Sequence, residues 1–199
     1  KENLYPGDYV IDIAKKILIE SPEIDLNNFK ENFSILSKKA LEHSMDLIKN
    51  DLKSLGVIHD NFISEKSLVQ KNLVEKSIQH LKDKKFVEEG YLNPPKGEKN
   101  KEWKKIKRLI FKSTLFGDDT DRALQKDDGT WTYFANDIAY HSDKTARNYN
   151  YLINVLGADH IGYVKRITAA TKALSDNKTI LICKVCQLVK LFKNGKPYK

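Results

Sequence analysis

A tyrosine and an aspartate four positions apart carry side chains suited to binding a cation. Tyr133 and Asp137 follow a glycine-containing turn and stand at the start of a predicted helix. Residues four apart lie on one side of a helix, and a carboxylate near the helix start is favoured as an anion. A carboxylate accepts two donors of a planar cation in parallel, and an aromatic ring can complete such a site. The spacing by itself favours the alternative, a helix-capping aspartate and a packed tyrosine.

A second group of candidates follows a predicted strand. Gly157, Asp159 and His160 come directly after the apolar run 151–156. A glycine at such a strand end lets a polar ligand approach the backbone closely. The alternative is an ordinary turn that caps the next helix, predicted to begin near Gly162.

Two further groups indicate no metal site. The acidic segment 116–122 lacks the glycine and the terminal bidentate acid of a calcium loop, so it is predicted to be a solvated turn in which Asp121 and Arg122 can pair. Cys183 and Cys186 would point to opposite faces of a strand, which prevents shared binding of one ion. They are predicted to be buried structural thiols.

The first half of the chain has helical periodicity. One helix is predicted around Tyr9–Leu18, ending at Ser21-Pro22, and a third over Ser67–Val87 with Val74, Ile78 and Leu81 inward. Between them a longer helix is predicted to end at Gly56 and to be followed by a strand or extended segment, 57–63. The apolar face predicted for this longer helix is formed by Phe33, Leu36, Ala40, Leu41, Met45, Ile48, Leu52 and Leu55.

The second half alternates strand and helix signals, after a proline- and glycine-containing loop at 94–101. The predicted elements are a strand at Leu109–Phe111, a hairpin turn at Asp127-Asp128-Gly129, a helix at Asn136–Arg147, a buried strand at Tyr151–Leu156, a helix at Gly162–Leu174 and a β-rich run from Thr179 to Phe192. This alternation is typical of a parallel α/β sheet, whose ligands gather beyond the carboxyl ends of the strands.

The composition describes a folded protein with a moderate basic excess. The chain has 199 residues, 40% of them hydrophobic, and a formal net charge of +8. A basic excess favours polyanionic partners, but 27 acidic residues moderate this signal. Two cysteines and no apolar run of membrane-spanning length predict a cytoplasmic protein without membrane association.

Residues Phe111 to His141, FKSTLFGDDTDRALQKDDGTWTYFANDIAYH, together with Gly157-Ala158-Asp159-His160, resemble the catalytic domain of bacterial arginyl-tRNA synthetases. The family pattern of threonine–x–phenylalanine–glycine–aspartate, a DG turn and TYFAxDxAYH is matched almost residue for residue. The resemblance extends weakly to Tyr5–Tyr9 and strongly to Lys199. It implies a class I aminoacyl-tRNA synthetase that activates L-arginine with ATP and transfers it to tRNA(Arg).

The resemblance also implies roles for the candidate residues. In the family, the matching tyrosine and aspartate hold the substrate guanidinium, which assigns Tyr133 and Asp137 to L-arginine. The family segment at 157–160 lies against the ATP and amino-acid pockets, which assigns Gly157, Asp159 and His160 to ATP, with His160 also contacting arginine. The implied co-substrate is ATP with Mg²⁺, and no structural metal is expected.

The family's two ATP-binding signatures, HIGH and KMSKS, fall before Lys1 and from Lys199 onward, so no catalytic residue is assigned within the chain. The expectation is an excised middle part of the enzyme, inactive alone and monomeric. The fold expected is α/β. Residues 1–100 would form a mainly helical connecting segment, and residues 101–199 the second half of the Rossmann-type nucleotide-binding fold.

Three alternatives stay open on the sequence. A class I synthetase of another specificity is one, although Asp137 would repel an acidic substrate. A non-catalytic basic RNA-binding module is supported by the net charge, yet no basic run is interleaved with aromatic residues. A structural α/β domain without a ligand would leave the long signature match unexplained.

Overall fold

A computed structural model describes residues 7–92 and 106–198 of the chain. The chain divides into two compact units between Phe62 and Ile63. The loop predicted at 94–101 and the domain boundary expected near residue 100 lie outside the described residues, so that boundary stays a prediction.

The first unit is a pair of helices, α1 (Asp8–Glu20) and α2 (Phe29–Ser54). A short 3₁₀ turn, Leu26–Asn28, leads into α2. Ile13 and Ile17 of α1 are buried, whereas no residue of α2 is. The apolar face predicted for α2 is therefore wrong in part: Phe33, Leu41, Ile48 and Leu55 are exposed, because α1 covers only a narrow stripe of a long helix.

The end of α2 confirms its predicted glycine cap. Gly56 has φ +77°, a left-handed conformation that glycine adopts without a steric penalty. The amide of Gly56 donates to the Lys53 carbonyl at 2.9 Å, and that of Val57 to the Leu52 carbonyl at 2.8 Å. This pair of bonds is a Schellman motif. The segment 57–63 was predicted to be a strand or an extended segment. It contains no strand, so the strand alternative is wrong.

The second unit begins with two helices where one was predicted. These are α3 (Glu65–Gln70) and α4 (Leu73–Asp83). Asn72 separates them in a left-handed conformation with φ +54°, which a continuous helix cannot contain. The inward positions Val74, Ile78 and Leu81 are buried as predicted. The helical prediction fails beyond α4, where the chain turns into strand β1 (Val87–Gly90).

Three short antiparallel strands form one sheet. The buried strand β2 (Arg108–Phe111) lies between β1 and β3 (Arg122–Ala123). The predicted turn at Asp127-Asp128-Gly129 is present, closed by the Lys126 amide bonding to the Thr130 carbonyl at 2.8 Å. The sequence predicts a second arm of this hairpin at Thr130–Phe134, but that arm is shorter because the next helix, α5, already begins at Tyr133 and runs to Thr145.

A parallel pair of strands follows α5. The strands β4 (Tyr151–Gly157) and β5 (Ile180–Cys186) are joined through a 3₁₀ turn (Ala158–Tyr163) and helix α6 (Val164–Ser175). The predicted β–α–β unit is confirmed. β4 was predicted to be buried, but only Leu152 is, because α5 and α6 cover one face of the pair, whereas the side chains of Tyr151, Ile153 and Val155 on the other face are exposed. The run after β5 is a separate hairpin of β6 (Leu191–Lys193) and β7 (Lys196–Tyr198).

The core of the second unit is formed mainly by α4, β2, α5 and α6. Its largest fully buried side chains include Phe111, Leu124, Ile138 and Ile167. The fold is therefore mixed α/β, with a parallel pair beside an antiparallel sheet. Within residues 7–92 and 106–198, no helix combines the length and apolar character needed to cross a bilayer.

Candidate functional site

Helix α5 carries the two residues first singled out, and its start is set by Thr132. The hydroxyl of Thr132 accepts a hydrogen bond from the Ala135 amide at 3.3 Å, which caps the helix. Tyr133 is therefore the first helical residue, and Asp137 lies about one turn further along. The capping role considered for Asp137 belongs instead to Thr132.

Tyr133 and Asp137 have different environments. The side chain of Tyr133 is 81% exposed, and the ammonium of Lys126 lies 5.8 Å from its ring centroid. Asp137 is half-buried. Among the described contacts none joins the two side chains, so the structure places them at the same end of α5 without bringing them together.

The partner of Asp137 is a residue that the sequence reasoning missed. The hydroxyl of Tyr163, at the end of the 3₁₀ turn, donates a short hydrogen bond to Oδ2 of Asp137. Tyr163 lies three positions after His160, a helical spacing that could have drawn attention to it.

The electrostatics of Asp137 differ from those of a surface carboxylate. Burial raises the pKa of Asp137 above its ordinary value, and the negative charge of Glu65 adds to the rise. The hydrogen bond from Tyr163 and the positive charges of Lys144 and His160 lower that pKa in part. Burial and the neighbouring Asp137 also raise the pKa of Tyr163, so its hydroxyl remains a proton donor at neutral pH.

The second candidate group lies at the carboxyl end of β4. His160 and Asp159 are exposed, with Nε2 of the imidazole 3.5 Å from Oδ2 of the carboxylate. A side chain at position 157 would meet Oδ1 of Asp159 at 2.6 Å. Gly157 thus accommodates the neighbouring carboxylate. His160 is close enough to Asp137 for its charge to affect the pKa of that carboxyl group.

A buried polar network lies behind Asp137 and was not foreseen. His141 Nδ1 is 2.8 Å from the backbone carbonyl of Asp137, so Nδ1 carries the proton and donates it. Nε2 then accepts from the Asn154 amide at 3.0 Å, and the Asn154 oxygen accepts from Lys144 at 3.0 Å. Burial, together with the charge of Lys144, lowers the pKa of His141 to about 4, which keeps the imidazole neutral.

The acidic turn differs from its prediction. Asp118 is buried, and Arg122 binds it through two bonds of 2.7 Å each, from Nε to Oδ2 and from Nη2 to Oδ1. Asp121 bonds instead to the backbone and hydroxyl of Thr114. The proposed pairing of Asp121 with Arg122 and the fully solvated character of the turn are therefore wrong.

The two cysteines differ in exposure from what the sequence predicts. Cys183 is half-buried and Cys186 is exposed, so the expectation of two buried thiols is wrong for Cys186, which lies at the open end of β5. Among the described residues no cluster of three or more histidine, cysteine or acidic side chains could hold a metal ion.

A cleft of about 650 Å³ lies at the opposite end of the parallel pair. Asn150 and Thr179, which immediately precede β4 and β5, contribute to its lining. Its basic lining residues are Lys76, His80, Lys84 and Lys178. None of the candidate arginine or ATP residues lines this cleft.

Comparison with known proteins identifies relatives along the whole chain. It is 52% identical over 197 residues to an arginine–tRNA ligase of Pelagibacter ubique, which covers 99% of this chain and 34% of the relative. The corresponding enzyme of Roseobacter denitrificans is 49% identical over 199 residues, again covering 34% of that protein. The chain therefore spans about one third of the length of these curated relatives. No protein-family model matches the sequence.

Solved structures that resemble this chain are also arginyl-tRNA synthetases. An arginyl-tRNA synthetase structure from Campylobacter jejuni superposes with a TM-score of 0.77 at 32% identity, covering the whole of this chain and 40% of that one. One from Plasmodium falciparum has a TM-score of 0.55 at 18% identity over 81% of this chain and 26% of that one, and it supports the fold alone.

The mixed α/β fold and these relatives assign the chain to the class of aminoacyl-tRNA synthetases. Within that class it belongs to the arginine–tRNA ligase family, and it matches about one third of the length of the curated members. The resemblance predicted from the sequence is confirmed. The relatives do not favour another amino-acid specificity or a non-catalytic RNA-binding module.

Proposed function

We propose that the full-length protein activates L-arginine with ATP and esterifies it to tRNA(Arg), and that this chain supplies part of the arginine site. The observation that carries the proposal is identity of 44–52% to arginine–tRNA ligases along essentially the whole chain. The substrates and partners are accordingly L-arginine, ATP with Mg²⁺, and tRNA(Arg). Protein synthesis places such an enzyme in the cytoplasm, and we propose a monomer.

Asp137 is the proposed acceptor for the arginine guanidinium. A guanidinium is planar, permanently charged and carries five N–H donors, and a carboxylate is its natural partner. Asp137 is half-buried, its pKa is raised by burial, and a bound cation would favour its charged form. Tyr133 would complete the site with its exposed ring, and His160 would approach from the carboxyl end of β4.

The ATP side of the site is proposed for Gly157, Asp159 and His160. Gly157 ends β4, and Asp159 and His160 lie in the turn directly after it, at the carboxyl end of the parallel pair, where ligands bind in open α/β sheets. ATP with Mg²⁺ would supply the reactive α-phosphorus; the arginine carboxylate would attack it to form an aminoacyl adenylate, and the bond to the β-phosphate would break to release pyrophosphate. The residues of this chain would orient the amino acid and the nucleotide for that attack.

We also propose that β4 and β5 form part of the second half of a Rossmann-type nucleotide-binding fold. Parallel sheets are normally covered on both faces. Here α5 and α6 cover one face, whereas the outer side chains of Tyr151, Ile153 and Val155 are exposed. Another part of the full-length protein would cover that face. Residues 1–100 would then belong to a connecting segment, and 101–199 to the catalytic domain.

The test of the arginine site is Asp137→Asn in the full-length protein. The amide keeps the shape of the side chain but loses the negative charge, so we expect the Michaelis constant for arginine to rise on the order of 10- to 100-fold, as for loss of a hydrogen bond to a charged group. The Michaelis constant for ATP should change little in arginine-dependent pyrophosphate exchange. An unchanged arginine constant would remove Asp137 from the site.

The isolated chain is expected to be inactive in the same assay. Both signatures that stabilise the phosphates fall outside it by the family resemblance, and loss of such electrostatic stabilisation removes a large contribution to catalysis. Robust arginine-dependent exchange by the 199-residue chain would contradict this expectation.

A further inference from the structure

The hydroxyl of Tyr163 joins two elements that are distant along the chain. It donates to Oδ2 of Asp137 on α5 from the 3₁₀ turn that precedes α6, 26 residues later. Asp137 has no other hydrogen bond to its carboxylate among the described residues. A carboxylate has about four lone-pair sites, so this bond leaves most of the accepting capacity of Asp137 to a ligand.

The ring of Tyr163 is held from two sides. The ring of the buried Phe134 packs edge-on against it, with centroids 6.1 Å apart and an interplanar angle of 86°. The guanidinium carbon of Arg166 lies 5.1 Å from its centroid. Both contacts are made by the ring and not by the hydroxyl. They fix the position of the hydroxyl before any ligand binds, and they would survive its removal.

The hydroxyl of Tyr163 restricts the orientation of the Asp137 carboxylate through its hydrogen bond to Oδ2. An aspartate has two side-chain torsions, and recognition of a planar cation requires the carboxylate plane to match the plane of the guanidinium. A fixed donor on one oxygen selects one orientation in advance, which lowers the entropic cost of binding.

We propose that Tyr163 is a positioning residue for guanidinium recognition: its hydroxyl holds one carboxylate oxygen of Asp137 so that the remaining lone pairs face the substrate. This inference rests on the proposed arginine site. Tyr163 does not react with the substrate and acts through Asp137. The chemical class recognised is a monosubstituted guanidinium, as in the arginine side chain.

The experiment is Tyr163→Phe in the full-length protein, measured by arginine-dependent pyrophosphate exchange. The phenylalanine ring preserves the contacts to Phe134 and Arg166. We expect the Michaelis constant for arginine to rise about 10-fold, the size expected for a hydrogen bond to a charged group. The constant for ATP and the turnover number should stay within about twofold, as for an interaction equally strong in ground and transition states. The matched control, Tyr149→Phe, removes the hydroxyl of an exposed tyrosine just before β4 and should leave all three constants unchanged.

A double-mutant cycle separates this inference from the function on which it depends. If Tyr163 acts through Asp137, Tyr163→Phe should have no further effect on the arginine constant in an Asp137→Asn background. Equal effects in both backgrounds, or parallel losses for arginine and ATP, would overturn the positioning role. If Asp137→Asn raises the arginine constant while Tyr163→Phe alone does not, only the role of Tyr163 is lost. If Asp137→Asn has no effect either, the arginine site itself is wrong.

Discussion

Asp118, which is buried, and Asp137, which is half-buried, show how the hydrogen-bond partner of a desolvated carboxylate decides its pKa. Burial raises the pKa of Asp118, but hydrogen bonds from Arg122, the Asp119 amide and Ser113 outweigh it, and that pKa lies below its ordinary value. Asp137 is also desolvated, but its hydrogen-bond partner is a neutral phenol and its pKa is raised. Both carboxylate oxygens of Asp118 already accept hydrogen bonds from the guanidinium of Arg122. The carboxylate of Asp137 accepts one bond from Tyr163 and has no guanidinium partner among the described residues. This is the property expected of a residue that binds the guanidinium of a ligand.

At the residue scale, the buried imidazole of His141 predicts a pH-dependent stability. Its pKa is about 4 in the folded chain against an ordinary 6.5, so the unfolded chain binds a proton in this range that the folded chain does not. The stability of the folded chain is therefore not reduced by His141 above pH 6.5. As the pH falls from 6.5 towards 4, protonation of His141 in the unfolded chain lowers the free energy of unfolding. We expect the free energy of unfolding to decrease by up to about 3 kcal/mol from this group.

The measurement is chemical unfolding of the 199-residue chain at several pH values. Comparison of wild type with His141→Gln isolates the contribution, because other titrating groups are common to both. The variant should lose most of the slope between pH 4 and 6.5. His80→Gln, at an exposed position on α4, should retain it. A His141→Gln variant with the full wild-type slope would contradict the burial of a neutral imidazole.

At the element scale, the start of α5 determines where the site residues lie. Thr132 links this helix to the preceding strand region: its hydroxyl accepts from the Ala135 amide at 3.3 Å and lies 3.2 Å from the Leu124 carbonyl. The helix therefore begins at Tyr133, which puts Asp137 about one turn inside, opposite the 3₁₀ turn that carries Tyr163. The positions of Asp137 and Tyr163 thus depend on the ends of two short elements.

Loss of the cap should be measurable. Thr132→Ala removes the acceptor for the Ala135 amide, and we expect the free energy of unfolding to fall by about 1 kcal/mol. Thr132→Ser keeps the hydroxyl and should stay close to wild type. Urea denaturation would report a lower midpoint for the alanine variant at an unchanged slope. Equal midpoints for the alanine and serine variants would show that the cap contributes nothing.

At the scale of the whole molecule, one face of the parallel strand pair exposes a group of neighbouring apolar side chains. The outer face of the β4–β5 pair carries Tyr151, Ile153, Val155 and Ile180, all exposed. The chain spans about one third of its curated relatives. Because contiguous exposed apolar patches mark interaction surfaces, this face is where we propose that another part of the full-length protein packs.

The proposed packing predicts an effect that depends on chain length. Ile153 is 64% exposed in this chain, so Ile153→Lys should change the free energy of unfolding of the 199-residue chain by no more than about 0.5 kcal/mol, as for other surface substitutions. In the full-length protein the same lysine would be an unpaired buried charge, with an expected loss of about 3 kcal/mol or more. Thermal or urea unfolding of both proteins measures the difference. Equal, small effects in the two would exclude coverage of this face.

The sequence alone was sufficient for features that depend on local chemistry. Helical periodicity predicted α1 and α6, because their apolar residues recur at the helix period. The helix predicted at Asn136–Arg147 is present as α5, which begins three residues earlier. Gly56 and the Asp127–Gly129 turn were predicted correctly because each requires a conformation that few residue types adopt. The long signature identified the family, since its matched residues extend over several elements.

Only the tertiary structure decided which side chains meet. The bond between Asp137 and Tyr163 joins residues 26 positions apart, and the pairing of Asp118 with Arg122 replaced the one predicted for Asp121. Local spacing carries no information on contacts created when α6 packs back against α5, nor on which strand face stays uncovered. The sequence therefore predicted which residue types could bind a guanidinium. The orientation and pKa of the Asp137 carboxylate depend on desolvation and on hydrogen-bond partners that exist only in the folded chain.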